Sequence, residues 1–148
     1  MYSDILLATD GSDCAQTAAE HAIHLAETSG ATLHALYVIE TRTGYDSAIV
    51  DPEEVERTLR SEGESVLESV ENVAESADVA GLYRIRDGVP EQEILTYADN
   101  HDIDLIVLGA RGTSAFKTIL LGSTSEAVLR EASVPVVVQP ETDPEQGK

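Results

Sequence analysis

The sequence predicts an α/β protein built on a single open, doubly wound, five-stranded parallel sheet with helices on both faces. Three observations lead there. Short apolar runs rich in β-branched residues alternate with longer stretches of helical period, the pattern of repeated βαβ units. Three of those runs, at 5–9, 105–108 and 134–138, are apolar almost without a break, as strands covered on both faces are. The 148 residues are the length of one domain, and with 42% hydrophobic but only 4% aromatic residues the core must be made of Val, Ile, Leu and Ala.

After the first strand at 5–9, Ala15, Ala18, Ala19, Ala22, Ile23, Leu25 and Ala26 recur at helical spacing, and Gly30 follows as a C-terminal stop. A second strand at 32–39 leads into residues 42–50, which have no period and read equally as a cover over the end of the sheet or as a surface loop. Asp51 and Pro52 open a long acidic helix with Val55, Leu59, Val66, Leu67, Val70 and Val73 on one stripe. The third strand, 81–86, precedes Pro90, which sits at a first helical position ahead of Ile94, Leu95 and Ala98. After the fourth strand, 105–108, a last helix at 125–132 carries Ala127, Val128 and Leu129, and the fifth strand is 134–138. Residues 1–140 are expected to form one domain, with 141–148 as a flexible acidic tail. Parallel strands are joined by right-handed crossovers, so a ligand is expected at the carboxyl ends of the strands, beside the first, where strand order reverses. The loops after Thr9 and Leu108 should face that crevice.

Twenty-eight acidic against nine basic residues give a net charge of -19, a surface that repels nucleic acid and anionic membranes. The regular apolar runs exclude a disordered solvating chain and leave an acidic globular surface, either adapted to high salt or simply acidic. Cys14 is the sole cysteine, so no intramolecular disulfide can form. No signal peptide is read ahead of Ile5, and no run approaches the ~18 apolar residues that span a bilayer, so a cytoplasmic protein is expected.

The chemistry concentrates after the fourth strand. Gly109 and Gly112 let the backbone turn and approach a ligand closely, and Gly122, after nine intervening residues, does the same. Ser123, Thr124 and Ser125 then present hydroxyls and amides at a helix start, where dipole and free N–H groups favour an anion, phosphate above all. Ser123 with Glu126 reads equally as a capping box that needs no ligand. The combination of glycines with the strand end favours phosphate. There is no GxxxxGK[ST] loop, no GxGxxG after the first strand and no GxSxG elbow, which disfavours a P-loop protein, a dinucleotide enzyme and an α/β hydrolase.

The spacing Gly109, two residues, Gly112, nine residues, Gly122, Ser123 resembles the nucleotide-binding signature of the universal stress protein family. The likeness extends over nearly the whole chain, through Ile5 to Ser12, Leu36-Tyr37-Val38, Leu121-Gly122-Ser123 and Val134 to Val138. It implies an adenine nucleotide alpha hydrolase-like, Rossmann-like sheet that binds ATP, or AMP or ADP, with magnesium brought by the nucleotide. By the same resemblance Asp10 meets the ribose or metal region, Ala8 and Thr9 frame the pocket, and Val38 offers its backbone to adenine. Leu108 lines the pocket, Gly109, Arg111 and Gly112 wrap ribose and phosphates, and Gly122, Ser123, Thr124 and Ser125 hold the phosphate chain. Arg111 departs from the family pattern, and its planar fork suits phosphate oxygens or a surface carboxylate. The resemblance also implies a homodimer through the last strand, an apolar edge that would otherwise need protection.

Other constellations weigh less. His21 and His24 with Glu20 lack third and fourth ligands at matching spacing and read as helix-face residues, while His34 and His101 read as isolated. Cys14 reads as a small packing residue rather than a reactive thiol, and Asp10 with Asp13 as a pair able to hold a divalent ion beside phosphates. Two functions follow: a nucleotide-binding regulatory protein with at most slow hydrolysis, since no general base is evident, or a nucleotide-free dimeric interaction module whose glycine loop is a structural corner.

Overall fold

The computed structural model describes residues 2–40, 51–110 and 121–140. The elements alternate as the sequence predicts: β1 (Asp4–Ala8), α1 (Asp13–Ser29), β2 (Thr32–Glu40), α2 (Pro52–Ser76), β3 (Gly81–Gly88), α3 (Pro90–Asn100), β4 (Leu105–Gly109), α4 (Ser123–Glu131) and β5 (Val136–Gln139). All strand pairs are parallel, and the order is β3-β2-β1-β4-β5. Chain order therefore reverses between β1 and β4, which opens the crevice at their carboxyl ends.

Two apolar cores hold the layers. On one face Ile5, Leu7, Leu33, Ala35, Tyr37 and Val107 pack against the alanine stripe of α1 and against Leu67, Val70 and Ala74 of α2. On the other, Leu6, Leu36, Ile106 and Leu108 pack against Ile94, Tyr97 and Ala98 of α3 and Val128 of α4. The neighbours on each strand divide between the two cores because successive side chains of a strand point to opposite faces. Ser12 caps α1 by accepting from Ala15 N, and Gly30 ends it at φ +69°, a left-handed turn that favours glycine. Asp51 caps α2, ahead of Pro52 in its first turn. No helix among the described residues is long and apolar enough to cross a membrane.

Several sequence expectations shift. Val73 is 50% exposed and Ala74 fully buried in its stead, because the inward face of α2 runs through Gly63, Leu67, Val70 and Ala74. Leu129 is likewise 42% exposed. The last helix begins two residues earlier than expected, at Ser123. Every residue of β5 is half-buried, as befits an edge strand rather than one covered on both faces. His34 and His101 are not isolated. The buried His34 bonds through Nδ1 to the Tyr97 hydroxyl at 2.7 Å and through Nε2 to Asp4 Oδ1 at 2.9 Å. The His101 ring stacks on Tyr97 at 3.8 Å and its Nδ1 donates to the Tyr97 carbonyl. This cluster ties α3 to the amino-terminal end of β1 and β2, away from the crevice.

Candidate functional site

Three side chains shape the loop from β1 to α1. Thr9 Oγ1 accepts from Gly11 N at 3.2 Å, Asp10 Oδ1 from Ser12 N at 2.9 Å, and Ser12 Oγ from Ala15 N at 3.2 Å. Gly11 sits at φ +82°, which favours glycine, and a Cβ there would lie 2.8 Å from Val66 Cγ2 on α2. Asp10 is exposed at the crevice mouth, and Asp13 is exposed one turn away on α1. Thr9 is buried and its amide donates to Leu36 O at 3.0 Å, the last rung between β1 and β2.

Beyond that rung β1 has turned away, whereas β2 continues to Glu40. Leu36 turns its carbonyl toward β1, so by the strand's alternation Val38 presents its own N–H and C=O in the same direction. Neither group of Val38 takes a partner among the described residues. Val38 thus offers a donor and an acceptor at the crevice wall.

The β4 side is organised by a neck. Leu108 is buried beside Ala8, its register partner on β1, and closes the floor. Ala110 N donates to Gln139 O at 2.8 Å and Ala110 O accepts from Gly122 N at 2.7 Å, so residues 110 and 122 are clasped. Ser125 Oγ donates to Gly109 O at 2.6 Å, a second clasp one turn into α4. The first turn of α1 lies against Gly109, where a Cβ would stand 3.1 Å from Cys14 Sγ and 3.2 Å from Ala15 N. Cys14 is buried and its Sγ donates to Gln139 O at 3.1 Å, which fits a packing role.

The start of α4 corrects the capping-box reading. Gly122, not Ser123, is the cap residue, no side chain caps this helix, and Ser123 is its first helical residue with an exposed side chain. The amides of Ser123, Thr124 and Ser125 take no acceptor among the described residues, so the helix presents free N–H groups with the positive end of its dipole. Ser125 also departs from expectation: its hydroxyl is buried and committed to Gly109, which leaves only its amide for a ligand. Arg111 and Gly112 lie outside the described residues.

The structure therefore brings Ala8, Thr9, Asp10, Val38, Leu108, Gly109, Gly122, Ser123, Thr124 and Ser125 to one end of the sheet, around the switch point. Sequence reasoning missed Ala110, whose two main-chain bonds make the neck, because nothing about an alanine signals them. It also missed Tyr37, buried close to the crevice, whose phenol is pushed up by burial and by the nearby Glu62 and Asp10 carboxylates.

A family model described as the universal stress protein family matches residues 1–140. The chain belongs to that family. Universal stress protein MJ0531 of Methanocaldococcus jannaschii is 36% identical over 139 residues, spanning 93% of this chain and 82% of the relative. The structure of universal stress protein UspA from Lactobacillus plantarum superimposes with a TM-score of 0.84 at 32% identity, covering 93% of this chain and 97% of the other. A universal stress protein solved in complex with cAMP has a TM-score of 0.72 at 24% identity over 93% of this chain and 96% of its own, a likeness of fold.

Proposed function

We propose that this universal stress protein is a regulatory protein that binds an adenine nucleotide, ATP being the natural candidate, at the carboxyl ends of β1, β2 and β4. The observation that carries the reading is the start of α4: three consecutive amides without acceptors among the described residues, no side-chain cap, and a neck that holds this terminus at the switch point. Such a terminus favours an anion through its dipole and free N–H groups, and phosphate fits it. The main-chain N–H and C=O of Val38, unpaired among the described residues, suit the edge of a purine, and exposed Asp10 suits the ribose or a magnesium ion held with the phosphates. Arg111 and Gly112, from the glycine-rich stretch, complete the phosphate grip in this reading. In the distant cAMP complex the nucleotide belongs to that protein; for this chain the argument rests on its own strand ends.

The protein acts as a cytoplasmic homodimer in this reading, pairing through β5, whose Val136, Val137 and Val138 are all half-buried on an edge strand. The test is isothermal titration of nucleotide-stripped protein with ATP and magnesium in high salt, repeated on Gly122→Val. Gly122 has φ -74°, a value that any residue adopts, so valine adds bulk at the cap of α4 without needing a left-handed backbone. Binding by the native chain and loss in the variant support the reading. No heat and no thermal shift in either protein refutes it.

A further inference from the structure

The edge of the sheet opposite β5 carries a feature that nucleotide binding does not use. Between α2 and β3 runs an open groove of about 490 Å³. Leu67, Tyr83 and Ile85 form its floor, and Glu64, Glu68 and Glu71, one stripe of α2, stand along its wall. The Tyr83 phenol is pushed up by burial and then by the charges of Glu71 and Glu75 on α2.

The backbone beside it is a strand edge. Ala80 O accepts from Leu33 N at 2.8 Å, which by alternation turns the main-chain groups of Leu82, Arg84 and Arg86 toward β2. Those of Gly81, Tyr83, Ile85 and Asp87 then point outward. Among the described residues no strand pairs with this side. Among the described residues the one outward group with a partner is the Tyr83 carbonyl, which takes Arg84 Nη1 from its own neighbour at 3.1 Å. The two faces of the edge differ in charge. Tyr83 and Ile85 point to the α2 side beneath the carboxylates, whereas Leu82, Arg84 and Arg86 point to the α3 side, and Leu82 is 40% exposed. Neither arginine has a carboxylate partner among the described residues, although Arg60 and Arg130 do.

We infer that the β3 edge and the α2 groove form a docking site for an extended peptide segment of a partner protein, added as a sixth strand. The occupant is specified by charge on both faces. Its residues on the α2 side are apolar or basic, filling the groove over Leu67 and Ile85 and meeting Glu64, Glu68 and Glu71. Its residues on the α3 side are acidic, meeting Arg84 and Arg86. Main-chain bonds to the outward groups of β3 supply affinity, and the alternating faces supply selectivity.

The test uses the full chain and a fluorescein-labelled decapeptide that alternates Val or Lys with Glu, at about 0.15 M salt. Anisotropy should show saturable binding, weakened at least about tenfold in Glu64→Lys/Glu68→Lys. It should be little changed in Glu20→Lys/Glu27→Lys, which alters net charge equally on the exposed face of α1. In the native chain, peptide should slow hydrogen exchange at the amides of Gly81, Tyr83, Ile85 and Asp87. Absence of binding, equal losses in both double variants, or unchanged exchange at those four amides would overturn the inference. Slowing of the same amides by raised protein concentration without peptide would also overturn it, by making a second copy of this chain the occupant.

Discussion

Replacing Ser125 with alanine tests the neck directly. By the alternation of β4, the Gly109 carbonyl points to the β1 side, beyond the last residue of that strand, and the Ser125 hydroxyl is its donor at 2.6 Å. The alanine variant removes that donor and leaves a half-buried carbonyl short of a partner, a loss of about 1–3 kcal/mol. For a chain of this size each kcal/mol is worth roughly 2–4 °C, so the ligand-free melting temperature should fall by roughly 2–12 °C in calorimetry. The bond also fixes the start of α4 relative to the end of β4, so the stabilisation by saturating ATP should shrink as well. Ser123→Ala is the comparison, because that side chain is exposed and has no partner among the described residues. It should stay within about 0.5 kcal/mol of native without ligand. A Ser125→Ala protein that melts with the native chain and keeps its full ATP response would refute the neck.

Four further outcomes are expected. Gly63→Ala should gain about 1 kcal/mol of helix propensity but lose about 1–3 from overpacking, since its Cβ would meet Tyr37 Cδ1 at 2.7 Å; thermal melts should show net destabilisation that turns to stabilisation in a Tyr37→Ala background. His34→Leu leaves the Tyr97 hydroxyl buried without its partner and should cost about 1–3 kcal/mol in urea unfolding, partly recovered by adding Tyr97→Phe. Asp104 is held below the ordinary carboxylate value by the amides of Ser3 and Asp4, so its contribution is present above the unfolded value near 3.8 and is lost as pH falls through the depressed one; Asp104→Asn should flatten the acid limb of a stability-versus-pH curve. With a net charge of -19, the melting temperature should climb with KCl as self-repulsion is screened, and a salt-independent melt would count against an adaptation to high salt.

Much of the architecture was legible because apolar period and punctuation agree. The β-branched runs became strands, Gly30 ended α1, and Pro52 and Pro90 opened their helices. Where period alone decided, errors followed: Val73 belongs to the same stripe on paper, but the sheet touches α2 about one residue further round, at Val70 and Ala74. The glycines flagged the loop, while the bonds that shape it run between residues far apart in sequence, such as Ser125 to Gly109, which no local pattern reports. The same holds for His34, Asp4 and Tyr97, brought together from three elements. Ser123 and Glu126 had the right spacing for a capping box, yet with Gly122 as cap residue the helix starts where neither side chain serves as cap.

The loop from Thr9 to Ser12 spends two side-chain oxygens on its own amides and a third on the Ala15 amide of α1. A loop locked in this way has lost its conformational freedom during folding rather than at the moment a ligand arrives. Occupancy of this side of the crevice should then depend on what enters it and little on waiting for the loop to close, so association here should be fast and its entropy change small. A substitution such as Asp10→Ala, which unties Ser12 N, should act on the proposed binding twice: it deletes the contact proposed for its carboxylate and returns disorder that each binding event must again remove.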